Sequence, residues 1–270
     1  MSPVFEVRTY ESLGSTNDEA RRLAQAGAAH GTVVAARQQT AGRGRVGRVW
    51  VSPPGNLYLS VLLRLDRPPA RLAELSFVAA LAVADMVDAF LPPGIRAALK
   101  WPNDVLVRGA KISGILVEQT EAATLLGIGV NVAHCPVDTP YPATSLACEL
   151  HSPSSHLRGE RAERVGGIPG AISPWPAPAS GREGVAAISV EACRSSLLNA
   201  LAIRLDTWLG TGFAPIRAEW LARAHPLGTS LRAGHVEGRF AGLDLDGALL
   251  LDTSDGLRRI VAGDVILQPR

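Results

Sequence analysis

The chain has 270 residues, 47% of them hydrophobic, and a formal net charge of +2. That length can bury a sizeable core and predicts one large domain plus a small one. The near-balanced charge gives no reason to expect a polyanionic partner such as DNA.

The first residues lack the basic and apolar blocks of a signal peptide. The longest apolar stretch, 72–91, is interrupted by Glu74, Asp85 and Asp88, so no membrane span is expected. Cys135, Cys148 and Cys193 show no CxxC spacing, which fits buried thiols in a reducing cytoplasm better than bridges or ligands.

In chain order, Ser15-Thr16-Asn17-Asp18-Glu19 predicts a helix start. Thr16 with Glu19, or Ser15 with Asp18, fits a capping box, and Gly27 a stop. Thr32 to Arg37 is β-branched enough for a strand, and Asn56 to Asp66 reads as a buried one. Between them lies ARQQTAGRGRVGRVW, 36–50, with four arginines, Arg37, Arg43, Arg45 and Arg48, the last three interleaved with Gly42, Gly44 and Gly47. Glycine lets backbone approach a ligand and arginine grips anions. The expectation is a loop with exposed backbone N–H groups that closes over an anionic ligand.

A helix should follow Pro68-Pro69, with Leu72, Leu75, Val78, Ala79, Ala82, Val83, Met86 and Phe90 on one face. Short strands come next: Ile95 to Lys100, Val105 to Val107, Lys111 to Gln119 and Thr124 to Val130. Their spacing points to an antiparallel or mixed sheet, hence an α+β fold. From 151 to 184 the chain turns Pro-, Gly-, Ser- and Arg-rich without period, which reads as a mobile insertion loop. Helices resume near Ser189, with Cys193, Leu197, Leu198, Leu201, Leu205 and Trp208 inward, and again at Phe213 to Ala224. From Leu227 onward short alternating strands suggest a small β-barrel. The predicted domains are 1–225 and 226–270.

The motifs narrow the chemistry by exclusion. Gly42 to Gly47 matches GxGxxG, but Pro53-Pro54 forbids the helix that should receive a pyrophosphate. A P-loop and GxSxG are absent, and no histidine or cysteine spacing suits a metal. Only two of the 27 basic residues are lysines, Lys100 and Lys111. Both lie on one unit, KWPND (100–104) followed by RGAKISGILVE (108–118), where a turn and hairpin can bring Lys111 back toward Asn103 and Asp104. Two compact ammonium groups, several arginines and a carboxylate suited to Mg²⁺ fit a site that holds two anions together.

STN, QTAGRGRVGRVW, KWPNDV, GAKISGILVE and GIGVN, in this order and spacing, resemble biotin protein ligases, and the likeness extends through YPATSL into the C-terminal segment. The resemblance implies a catalytic domain like a class II aminoacyl-tRNA synthetase core, followed by an SH3-like barrel. The insertion is longer than the family suggests. The winged-helix domain of repressor-type members is not expected, because STN begins almost at once.

The implied activity is ATP-dependent formation of biotinyl-5′-AMP, then transfer to one lysine of a biotin carboxyl carrier protein. The substrates are biotin and ATP with Mg²⁺, without a tightly bound prosthetic group. By resemblance, Ser15, Thr16, Asn17 and Gln39 face biotin, and Gly114 lies along it. Arg43, Gly44 and Arg45 cover its carboxylate and the adenylate, and Lys111 bridges carboxylate and α-phosphate. Arg48 and Lys100 serve the phosphates, Trp50 the adenine, Asn103 and Asp104 Mg-ATP, and Asn131 the nucleotide. Arg45, Arg48 and Asp104 join Lys111 as the catalytic set, with Asp104 also assisting the acceptor amine. Lipoate ligation and a non-catalytic biotin- or nucleotide-binding regulator are the alternatives. Monomer and homodimer both stay open.

Overall fold

A computed structural model describes residues 4–137, 139, 141–151 and 188–267. Its centre is a seven-stranded sheet in the order β1-β2-β3-β7-β6-β5-β4. The strands are β1 (Glu6–Leu13), β2 (Thr32–Gln39), β3 (Leu57–Leu63), β4 (Ala97–Lys100), β5 (Asp104–Val107), β6 (Ala110–Gln119) and β7 (Thr124–Val130). Only β1 and β2 pair in parallel; every other neighbouring pair is antiparallel. This is the mixed sheet expected from the short, turn-linked strands. Edge strand β1 escaped the sequence reading because its apolar residues are sparse and much of it is exposed.

The helices are α1 (Thr16–Gln25), α2 (Pro69–Leu72), α3 (Leu75–Phe90), α4 (Leu146–His151), α5 (Val190–Thr211) and α6 (Phe213–Arg223). The single helix expected after Pro68 is two, broken at Ala73-Glu74. Glu74 is buried at the break, where it accepts the Trp208 indole N–H at 2.6 Å and pairs with Arg71 at 2.6 Å. A buried carboxylate needs such partners, and both hold the break. α3 is buried on nearly every side, against α5, α6 and the sheet. α5 buries the six residues its periodicity predicted. Helix α4 was not expected, and its last residue, His151, is where the insertion loop was placed; the rest of that stretch lies outside the described residues. Among the described residues no helix is long and apolar enough to cross a membrane.

A second, antiparallel sheet has the order β11-β10-β9-β8-β12, built from β8 (Ser230–Ala233), β9 (Val236–Leu243), β10 (Leu249–Thr253), β11 (Gly256–Ile260) and β12 (Val265–Leu267). Phe240, Leu243, Leu249 and Leu251 join the same buried cluster as Leu99, Trp101 and α3. The Trp101 indole donates to Gly247 O at 3.0 Å, and Phe77 meets Phe213 and Trp220 edge-on. β11 and β12 are parted by a turn at 261–264. That turn reaches Arg45 and Arg48, in the stretch between β2 and β3.

Candidate active site

Where β2 leaves the sheet, Arg43 bridges Val49 and Gln39 bridges Ser52. The Trp50 N–H donates to Gly42 O at 2.9 Å and the Gly44 N–H to Arg48 O at 2.7 Å. The glycine-arginine stretch is therefore a small hairpin tongue closed by a turn at Arg45–Gly47. It is not the open loop of exposed N–H groups that composition suggested, because two of those groups are spent inside the hairpin. Val46 at the tip has φ +55° and is largely exposed. A β-branched residue in the left-handed region stores strain of about 1–3 kcal/mol.

The tongue covers a cavity of about 250 Å³ above the middle of the sheet. Its walls bring together Ser15, Thr16, Asn17, Gln39, Arg43, Gly44, Arg45, Arg48, Trp50, Asn103, Asp104, Lys111, Gly114 and Asn131. Every expected site residue but Lys100 is among them.

At one end, the first turn of α1 is turned inward. Ser15 makes no side-chain cap to the helix, contrary to the capping-box expectation. The Thr16 backbone N–H and hydroxyl instead reach Gln39 Oε1 at 2.8 and 3.1 Å. Ser60 Oγ lies 2.8 Å from Thr16 Oγ1 and donates to Asn17 Oδ1 at 2.5 Å. Asn17 can lie on the sheet because β7 offers Gly127 beneath it; a Cβ there would fall 2.6 Å from Asn17 Oδ1.

The floor depends on a second bare position. Gly114 and Gly129 are opposite partners across β6 and β7, and the Trp50 ring rests on them. A Cβ on Gly129 would come within 2.6 Å of the indole nitrogen. That nitrogen is buried and has no hydrogen-bond partner among the described residues.

At the other end, Lys111 Nζ sits 2.5 Å from Asp104 Oδ1 and 5.4 Å from the Trp50 ring. Lys100 faces Asp104 across the β4–β5 pair, 3.9 Å from Oδ2, with its ammonium 4.7 Å over Tyr141. It lies beyond Asp104 and does not line the cavity itself. Burial pushes its pKa down, against the pull of Asp104. Asn103 donates to Ile115 O at 2.7 Å and accepts from Arg45 at 3.4 Å. Asn131, buried, donates to Thr144 O at 3.0 Å. Both amides thus brace the walls as well as lining them.

The three tongue arginines are already engaged. Arg43 makes a bidentate pair with Asp18, at 2.5 and 2.8 Å, and reaches Glu118 at 3.5 Å. Its hydrogen bond holds the Asp18 carboxyl below the usual range. Arg48 pairs with Asp264. Arg45, whose pKa is lowered by burial, lies 3.9 Å from Asp264 and donates to Gly263 O at 3.3 Å. Asp264 and Glu118 are the contributions that sequence reasoning missed. Glu118 stood in a quoted motif without a role, and Asp264 carried no local signal at all. Among the described residues no group of three His, Cys, Asp or Glu could hold a metal.

Comparison with known proteins bears on the family. A sequence model of the Biotin/lipoate A/B protein ligase family matches residues 10–133, and one of the Biotin protein ligase C terminal domain matches 229–268. The biotin--[acetyl-CoA-carboxylase] ligase of Paracoccus denitrificans is 38% identical over 93% of this chain and 96% of its own length. The bifunctional ligase/repressor BirA of Bacillus subtilis is 34% identical over 96% of this chain and 73% of its own. The solved structure of the Aquifex aeolicus biotin protein ligase in complex with biotin and ATP superposes with a TM-score of 0.75 at 25% identity, covering 98% and 99% of the two chains. With a ligase relative at 38% identity matched over nearly the whole of both chains, the chain belongs to the biotin protein ligase family.

Proposed function

We propose that this protein activates biotin with ATP as biotinyl-5′-AMP and transfers the biotinyl group to a lysine of a biotin carboxyl carrier protein. The observation that carries this reading is the convergence, on one cavity, of a neutral hydrogen-bonding end (Ser15 to Asn17 with Gln39) and a cationic end (Arg45, Arg48, Lys111). Biotin has matching ends, a ureido ring and a carboxylate.

In the first step a carboxylate oxygen attacks the α-phosphorus, the P–O bond to the β-phosphate breaks, and pyrophosphate leaves. The obstacle is repulsion between two anions. Fixed cations offset it most effectively where water is excluded. Lys111 fits the position between carboxylate and α-phosphate, because an ammonium is a compact charge that can approach both. Asp104 holds it there from the other side. Mg²⁺ arrives with ATP as part of the substrate, and Asp104 is the wall carboxylate nearest Lys111 to meet it.

In the second step the neutral amine of the acceptor lysine attacks the acyl carbon, the acyl–O bond breaks, and AMP leaves with the phosphate oxygen. The amine's proton must pass to a base, and Asp104 is our candidate. The tongue shields the mixed anhydride from hydrolysis between the steps.

We further read the seven-stranded sheet with its helices as a core like that of class II aminoacyl-tRNA synthetases, and β8–β12 as an SH3-like barrel, with the boundary at 225/226. Exchange of labelled pyrophosphate into ATP, run first with biotin and then with lipoate, tests the activity. Exchange with biotin but not lipoate is expected; exchange with lipoate alone, or with neither, overturns the reading.

A further inference from the structure

Glu118 lies on β6 beside the cavity and is one of the two carboxylates that hold Arg43. Its Oε2 accepts from Asn17 Nδ2 at 3.0 Å and from Arg21 at 2.7 Å, while Oε1 faces Arg43 at 3.5 Å. Asp18 closes the square, with Arg21 at 2.5 Å and Arg43 at 2.5 Å. Two carboxylates and two guanidiniums therefore balance, about 23–48% exposed at the side chain.

Glu118 alone of the four also touches a neutral cavity residue. Asn17 has an amide that could face either way, but its oxygen is fixed by Ser60 and its nitrogen by Glu118. The carboxylate can only accept, so Asn17 must present its NH₂ side there. One carboxylate thus both orients a cavity amide and anchors the tongue, from a strand that is part of the rigid sheet.

We propose that Glu118 is a positioning residue: it locks the Asn17 amide in one orientation at the neutral end of the cavity, NH₂ toward Glu118 and oxygen toward Ser60, and, through Arg43, holds the tongue shut. The inference rests on the biotin-ligase reading and deepens it. Glu118 touches no reacting atom. Its effect is on recognition and retention, which separates it from a residue that only supports the fold. A purely structural role would lower stability and depress the affinity for both substrates together.

The experiment uses the full chain with biotin, ATP and labelled pyrophosphate. Glu118→Gln keeps an oxygen for Asn17 Nδ2 but removes the charge facing Arg43 and Arg21. Glu118→Ala removes both. A lost hydrogen bond to a charged group should raise the biotin KM of Glu118→Ala about tenfold or more, with the ATP KM changed less than about twofold. Glu118→Gln should raise the biotin KM less than about threefold, yet release preformed adenylate about threefold faster or more, since partly exposed ion pairs are individually weak. A folded Glu118→Ala with wild-type biotin KM, or with both KM values raised equally, overturns the proposal. Should Glu118→Ala fail to fold, the release rate of Glu118→Gln decides alone, and an unchanged rate overturns the proposal. Absence of biotin-dependent exchange in the wild type defeats the ligase reading and this inference with it. Normal wild-type exchange with unmoved variants defeats the inference only.

Discussion

Asp264 stands far along the chain from the tongue it holds, so replacing it by asparagine tests whether the second sheet takes part in ligand retention. The change is nearly isosteric and removes one charge. The Arg48 side chain is 54% exposed and Asp264 31%, so that pair contributes about 0–1 kcal/mol. Arg45 is only 25% exposed and lies 3.9 Å from the carboxylate. It keeps Gly263 O, Asn103 Oδ1 and the pull of Asp104 but loses a partly buried carboxylate 3.9 Å away, a loss of about 1 kcal/mol.

Together the two contributions come to about 1–2 kcal/mol, or roughly 5- to 30-fold in the retention of a ligand under the tongue. The assay is to form adenylate with biotin, ATP and pyrophosphatase, then follow its release. Asp264→Asn should release it faster by that factor, with a melting temperature close to wild type. Raising salt to about 1 M shortens the screening length to about 3 Å and should move wild type toward the variant. Equal release rates and no salt effect would refute the latch.

Lys111→Arg should lose about 100-fold or more in pyrophosphate exchange while melting within a few degrees of wild type, because a planar fork cannot take the place of a point charge between two anions; exchange near wild-type rates removes Lys111 from its assigned role. Gly129→Ala should push the Trp50 ring off the floor, since the new Cβ would meet it at 2.6 Å; a shifted tryptophan emission and loss of exchange by about tenfold or more are expected, and unchanged values of both would show that the ring adapts. His30 and His225 both have pKa values lowered by burial, and His30 Nδ1 accepts the Arg64 N–H at 3.0 Å. The unfolded chain binds these protons first, so full stability is present above the ordinary histidine value of about 6.5 and is lost as pH falls toward the lowered folded values. Melting followed from pH 8 to 5 should therefore fall on acidification, less steeply in His225→Phe; an equal slope in both proteins would exclude His225.

The sequence alone determined what depends on near neighbours. Period and turn chemistry located β3, β7, α5 and the antiparallel run, and the rarity of lysine pointed to Lys111. It also gathered the residues of the cavity into a few short motifs, because each motif is one turn or strand end whose geometry its own residues set. What it missed depends on register and on distant chain. Period-2 side-chain alternation decides that Gly114 and Gly129 meet under Trp50, and no local pattern announces that pairing. The same alternation and the β4–β5 register put Lys100 behind Asp104 rather than on the wall. Asn17 finds Glu118 across 101 positions, and Arg45 finds Gly263 across 218. A carboxylate in a polar turn, such as Asp264, reads as solvated until tertiary packing brings two arginines to it. Which charges are spent on each other, and which remain for a ligand, was decided only when the two sheets closed over one core.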